Sequence, residues 1–145
     1  MTSTLAPSGF DDALRGLPCS LAHDDGSCTL LPVARWQAPP GTADEALLLR
    51  GCTGPTMDVG CGPGRLVAAL SVRGVVALGI DVSPLAVALT RSRGAMALHH
   101  EGAGPSFPWC RVGADAATAV AAAADLHLLS IAHHSGRWTA SLQRR

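Results

Sequence analysis

The alternation of apolar and polar positions changes character along this chain. Residues 1–41 hold no sustained period, because Pro7, Pro18, Pro32, Pro39 and Pro40 interrupt any long element. Within them Asp24-Asp25-Gly26 marks a turn between two short apolar stretches, as in a hairpin or a covering arm. From Thr42 the pattern becomes regular. Thr42 and Glu45 stand in the S/T-x-x-E spacing whose side chains satisfy helix-start N–H groups reciprocally. This predicts a short helix over 43–50, stopped by Gly51. Gly54-Pro55 turns the chain, and 56–59 reads as a strand running into Gly60-Cys61-Gly62-Pro63-Gly64. Residues 65–73 place Leu66, Val67 and Leu70 on one helical face and end at Gly74.

The unit then repeats. Residues 75–80 are continuously apolar, as expected of a parallel strand buried on both faces. Ser83 is a helix N-cap with Pro84 at the first helical position. That helix is expected to run to Arg93, with Arg91 and Arg93 near its negative end and Gly94 as the stop. Arg-Gly-Val-Val-Ala-Leu at 73–78 returns as Arg-Gly-Ala-Met-Ala-Leu at 93–98. Two successive helix-Gly-strand units predict a β-α-β-α-β sheet with right-handed crossovers. Beyond His99, residues 101–108 form a Gly/Pro-rich loop, 114–124 favour helix by alanine propensity, and 125–132 read as a fourth strand. The fold class is therefore α/β, a Rossmann-like partial parallel sheet of about four strands with flanking helices. Its expected organisation is an irregular arm over 1–41, the sheet domain over 42–132 and a tail over 133–145.

Composition narrows the picture. Hydrophobic residues make up 48% of the chain but aromatics only 3%, so the core is built of small side chains that bury little area each. Acidic and basic residues balance, which leaves no broad positive footprint for nucleic acid. Every basic residue is arginine, a mark of GC-rich codons rather than of chemistry. The apolar-looking run 116–124 is too short to span a bilayer, and residues 1–10 lack the pattern of a secretory signal. Five cysteines with no C-x-x-C pair argue against a zinc ribbon or redox motif. A reduced, cytoplasmic protein is expected. The doublets His99-His100 and His133-His134, with His127 and Cys110, do not suggest a metal site, since adjacent residues on a strand point to opposite faces.

The chemistry concentrates between Thr56 and Val82. A strand leading into a glycine-rich turn and a helix lets a ligand approach the backbone and presents the positive end of a helix dipole. Asp81, about 20 residues on at the tip of the next strand, is placed to accept hydrogen bonds from a ribose diol. The spacing Gly60-x-Gly62-x-Gly64 differs from the dinucleotide pattern G-x-G-x-x-G. Asp58 is awkward beside a pyrophosphate but useful near a ligand carrying an ammonium and a sulfonium. Ser83 is better explained as a cap than as a catalytic group. Cys61 lacks an obvious paired base, so its backbone matters more than its thiol. Arg65 reads as solvated, and Trp36, Trp109 and Trp138 as covers over small apolar patches.

Asp58-Val-Gly-Cys-Gly-Pro-Gly64 followed by Gly79-Ile-Asp-Val-Ser-Pro84 resembles motifs I and II of the class I S-adenosylmethionine-dependent methyltransferases. The resemblance covers residues 42–98. It implies a seven-stranded sheet in which the 60–64 loop, through Gly60, Cys61, Gly62 and Gly64, contacts the methionine part of S-adenosyl-L-methionine. It further implies that Asp58 orients the cofactor's amino group, that Asp81 binds the ribose hydroxyls and that Val82 packs beside the adenine. Glu101 stands near an adenine-contacting acid of the family, but its surroundings do not match. The methyl acceptor would be an unidentified small molecule, and no catalytic residue is nominated. From Thr56 onward the chain holds about four strands at roughly 30 residues per unit. Two explanations stand: a truncated or frameshifted relative that departs near residue 100, or a half-domain that completes its sheet as a homodimer through an open edge. Competing functions are a non-catalytic nucleoside-binding module and a fragment of a nicotinamide-dependent oxidoreductase.

Overall fold

Glycines and caps set the element boundaries in the computed structural model, which describes residues 10–101 and 113–145. The chain separates into two compact units, one of Met1–Pro40 and Cys52–Ser106, the other of Gly41–Gly51 and Phe107–Arg145. This division cuts the chain differently from the three segments expected from sequence. The 102–108 part of the expected Gly/Pro-rich loop, Trp109 and Cys110 lie outside the described residues.

In the first unit the N-terminal stretch is more ordered than its prolines suggest. It holds helix α1 (Asp11–Leu14), strands β1 (Ser20–Ala22) and β2 (Cys28–Leu30), and helix α2 (Val33–Gln37). The hairpin turns at Asp24-Asp25-Gly26 as anticipated: Asp25 accepts from the Ser27 N–H and hydroxyl, and Gly26 adopts a φ of +81°.

Helix α3 (Thr42–Leu47) belongs to the second unit. The first unit resumes with strand β3 (Thr56–Val59), helix α4 (Arg65–Val72), strand β4 (Ala77–Asp81), helix α5 (Pro84–Ser92) and strand β5 (Met96–His99). These strands form one parallel sheet in the order β3-β4-β5. Because the order steps the same way twice, both crossover helices fall on one face of the sheet. On that face Ala77, Gly79 and Ala97 are buried, and α4 and α5, which bury Val67, Leu70, Ala86 and Val87, pack on the sheet. The opposite face carries the register rows Met57–Leu78–Met96 and Val59–Ile80–Leu98. Met57, Val59, Met96 and Leu98 are exposed there. The expectation that the 75–80 strand is buried on both faces is thus corrected: the apolar run reflects residue type, and among the described residues the crossover helices cover one side. Gly74 and Gly94 stop α4 and α5 at φ near the left-handed minimum, +76° and +77°, where glycine carries no Cβ penalty.

The second unit starts with α3, followed by a 3-10 turn at Leu49–Gly51. The cap lies one residue earlier than the Thr42–Glu45 pair suggests: Gly41 is the N-cap, and Asp44 accepts from its N–H at 3.0 Å. A second 3-10 turn, Ala114–Ala116, leads into helix α6 (Ala117–Ala123). Strands β6 (Leu126–His134) and β7 (Arg137–Arg144) then pair antiparallel. The expected fourth strand therefore forms, but as one arm of a hairpin rather than as part of the parallel sheet. Residues 133–145, expected as a tail, hold the end of β6 and all of β7. The turn residues Ser135 and Gly136 both have positive φ, +50° and +73°, the geometry that matches strand twist in a two-residue hairpin. Helices α3 and α6 pack on this hairpin. Asp44, almost fully buried, forms an ion pair with Arg137 at 2.8 Å. Among the described residues no helix is long and apolar enough to cross a membrane.

Candidate functional site

The carboxyl ends of the three parallel strands, where open α/β sheets bind their ligands, carry the residues singled out by sequence. β3 runs into the 60–64 loop, whose turn is tied to the neighbouring strand. The Gly60 and Cys61 N–H groups both donate to the Ile80 carbonyl, at 2.8 and 3.1 Å, and Gly64 N–H closes on the Cys61 carbonyl at 3.0 Å. Gly60, Gly62 and Gly64 all have positive φ. Gly64 is confined sterically as well, because a Cβ there would overlap the fully buried side chain of Thr90.

Cys61 turns its thiol inward. Its sulfur lies 2.7 Å from where a Cβ on Gly79 would stand, so glycine at 79 makes room for it in the sheet. Burial pushes the thiol's proton affinity up, with Asp81 and Asp58 adding to the effect and the Thr90 hydroxyl opposing it. A buried thiol held in its neutral form is a packing group, not a nucleophile.

Asp81 ends β4 and is gripped from two sides. Its Oδ2 accepts the Gly62 N–H at 2.8 Å and its Oδ1 accepts the Ser83 N–H at 2.9 Å. Asp58 pairs in register with Gly79, so Asp58 and Asp81 stand on the same face of adjacent strands. The carboxyl of Asp58 is pushed above the usual range chiefly by burial and secondly by the charge of Asp81, with Arg65 opposing. Arg65 was read as solvated, yet it is half-buried and its charge reaches Asp58. Val82 follows with an exposed side chain. Its carbonyl lies 3.1 Å from His99 Nε2, and since a carbonyl only accepts, that ring nitrogen carries the hydrogen. Glu101 is exposed beyond the end of β5.

Three neighbours of the loop escaped the sequence reading. Thr90 of α5 donates its hydroxyl to the Gly62 carbonyl at 3.0 Å. The signal was present in the spacing Ala86, Val87, Thr90, which puts one hydroxyl on the buried stripe of the helix. Leu14 of α1 lies against the loop, its Cδ2 3.8 Å from the Cβ point of Gly62. Asp11 accepts from the Ser83 hydroxyl at 3.2 Å, while the same oxygen caps α5 by accepting the Ala86 N–H, also at 3.2 Å. No sequence period links α1 to the loop, and only the folded chain brings them together. Among the described residues no three His, Cys, Asp or Glu side chains are grouped so as to hold a metal ion.

No family model matches the chain, and no curated protein matches it. Among solved structures it is similar to a SAM-dependent methyltransferase from Bacteroides fragilis, solved in complex with S-adenosyl-L-homocysteine. The two share 28% identity over 65% of this chain and 44% of that one, with a TM-score of 0.45. The chain thus spans less than half the length of that protein.

Proposed function

We propose that the unit carrying β3, β4 and β5 binds S-adenosyl-L-methionine and serves a methyl transfer to a small molecule. The observation that carries this reading is the placement of Asp58 and Asp81 on one sheet face beside a loop rich in left-handed glycines. The donor set fits such a ligand. Asp58 is half-buried beside a second carboxylate and holds its proton more tightly for that reason. A ligand bearing an ammonium adds positive charge to that of Arg65 beside this pair, whereas a pyrophosphate adds to the repulsion. Asp81 uses one lone pair on each oxygen for backbone N–H groups. A carboxylate offers about four such sites, which leaves acceptors for two sugar hydroxyls.

In this reading Asp58 holds the amino group, the 60–64 loop flanks the methionine part, Asp81 takes the ribose and Val82 lies beside the adenine. The bound cofactor supplies an already activated methyl group on its sulfonium, so the chain's contribution is positioning. The reduced, cytoplasmic setting expected from the cysteines belongs to the same proposal. So does a homodimer through an open edge: β3 and β5 are the outer strands, each paired on one side only among the described residues.

Calorimetry with S-adenosylhomocysteine and with NAD tests the reading. Binding of the first but not the second supports it. Binding of NAD alone favours the oxidoreductase alternative, and binding of neither by a folded chain removes the cofactor assignment. Turnover against a panel of acceptors separates an enzyme from a nucleoside-binding module. Sedimentation velocity reads the dimer.

A further inference from the structure

Both main-chain polar groups of Gly62 are held by side chains. Its N–H goes to Asp81 Oδ2 at 2.8 Å and its carbonyl accepts from Thr90 Oγ1 at 3.0 Å. Asp81 Oδ1 in turn takes the Ser83 N–H at the head of α5, the helix that also carries Thr90. The bonds close a circuit: α5 to Asp81, Asp81 to Gly62, and Gly62 back to α5 two turns further on. Gly62 sits at a φ of +54°, a conformation without Cβ packing of its own to hold it. Its orientation therefore depends chiefly on these two bonds, with a longer contact from the Cys61 thiol to the same carbonyl at 3.7 Å beside them. Thr90 has no exposed surface, so its hydroxyl is shielded from water, and its methyl and Cβ occupy the space that keeps residue 64 a glycine.

We infer that Thr90 is a positioning residue for the nucleoside site: through the Gly62 backbone it sets the loop and aims the Asp81 carboxylate at the sugar hydroxyls. The inference rests on the cofactor reading above, but it concerns a residue that would touch no ligand. A threonine that merely filled the interior would affect stability and leave ligand discrimination alone. One that positions Asp81 governs how strongly the site distinguishes a ribose from a sugar lacking its hydroxyls.

The test compares wild type with Thr90→Val, which keeps the shape and removes the hydroxyl, and Thr90→Ser, which keeps the hydroxyl. Calorimetry with S-adenosylhomocysteine is expected to show about a fivefold loss of affinity for the valine variant, the worth of one net hydrogen bond, with the serine variant near wild type. Competition by adenosine and by 2′,3′-dideoxyadenosine should show the preference for the ribose shrinking in Thr90→Val and returning in Thr90→Ser. Exchange of the Gly62 amide hydrogen, followed by NMR, should quicken in the valine variant only. A wild-type chain that binds neither S-adenosylhomocysteine nor adenosine overturns the cofactor reading and this inference together. Wild-type binding with Thr90→Val unchanged in affinity and in sugar preference overturns this inference alone.

Discussion

Replacing Gly64 by alanine perturbs the site at one atom, and the structure separates the two costs of that atom. Gly64 has a φ of +76°, and so does Gly74 at the end of α4. A Cβ at Gly74 meets nothing within 4 Å, whereas one at Gly64 overlaps the Thr90 side chain. The left-handed backbone costs a residue with a Cβ roughly 1–2 kcal/mol. Forcing an extra methyl into a packed interior adds about 1–3 kcal/mol. Gly74→Ala is therefore expected to lose about 1–2 kcal/mol of stability and Gly64→Ala about 2–5 kcal/mol. Urea unfolding followed by circular dichroism measures both by linear extrapolation. Combining Gly64→Ala with Thr90→Ala removes Oγ1 and Cγ2, the two nearest of the three atoms in the way, and leaves only the Thr90 Cβ at 2.7 Å, so the double variant should lose less than the sum of its parts. Equal losses for the two glycine variants, or strict additivity with Thr90→Ala, would refute the packing argument.

Three further outcomes follow from the same contacts. Asp81→Ala should weaken S-adenosylhomocysteine binding by about 1–3 kcal/mol, the cost of leaving polar partners unmatched; an unchanged dissociation constant counts against its role. Asp58 has its carboxyl raised by burial and by Asp81, so the folded chain retains a proton there between the ordinary carboxylate value and the raised one. Stability falls as pH climbs through that window; Asp58→Asn should melt higher than wild type at neutral pH, converge with it in acid, and bind the ligand less well. For wild type, calorimetry should show affinity rising with pH across the same window, because an ammonium ligand prefers the ionised acid; a flat profile contradicts this. In the second unit, Arg137→Met removes the ion-pair partner of the almost fully buried Asp44 carboxylate and leaves it the Gly41 N–H. A loss of about 3 kcal/mol is expected in urea unfolding, and a loss below about 1 kcal/mol, the size of an exposed pair, would show the contact to be solvated.

Much of the site was legible before any coordinates because its signals are local. Ser83 with Pro84 starts α5 as its cap chemistry requires, and the Ala86 N–H bond to the Ser83 hydroxyl shows the cap in place. Gly74 and Gly94 stop their helices at the left-handed φ that favours glycine. Asp58 is expected near the loop from its place two residues before Gly60, and Asp81 from its place at the tip of the next strand; the parallel register sets them on one face. The hairpin at Asp24-Asp25-Gly26 was equally a local matter. The Ser135-Gly136 pair carries a turn signal of the same kind, which the expectation of a tail over 133–145 left unused.

The amino-acid order by itself determined where the chain turns, caps and alternates, because those properties depend on a residue and its nearest neighbours. It left open which strands meet. An apolar stretch such as 126–134 pairs equally well in either direction until a partner strand is present, and here that partner is β7. Only the tertiary structure decided that helices α4 and α5 cover one face of the sheet while Met57, Val59, Met96 and Leu98 on the other are exposed. Only it placed Thr90 and Leu14 against the glycine loop, since contact between residues 28 or 48 positions apart is settled by packing rather than by any repeat in the chain.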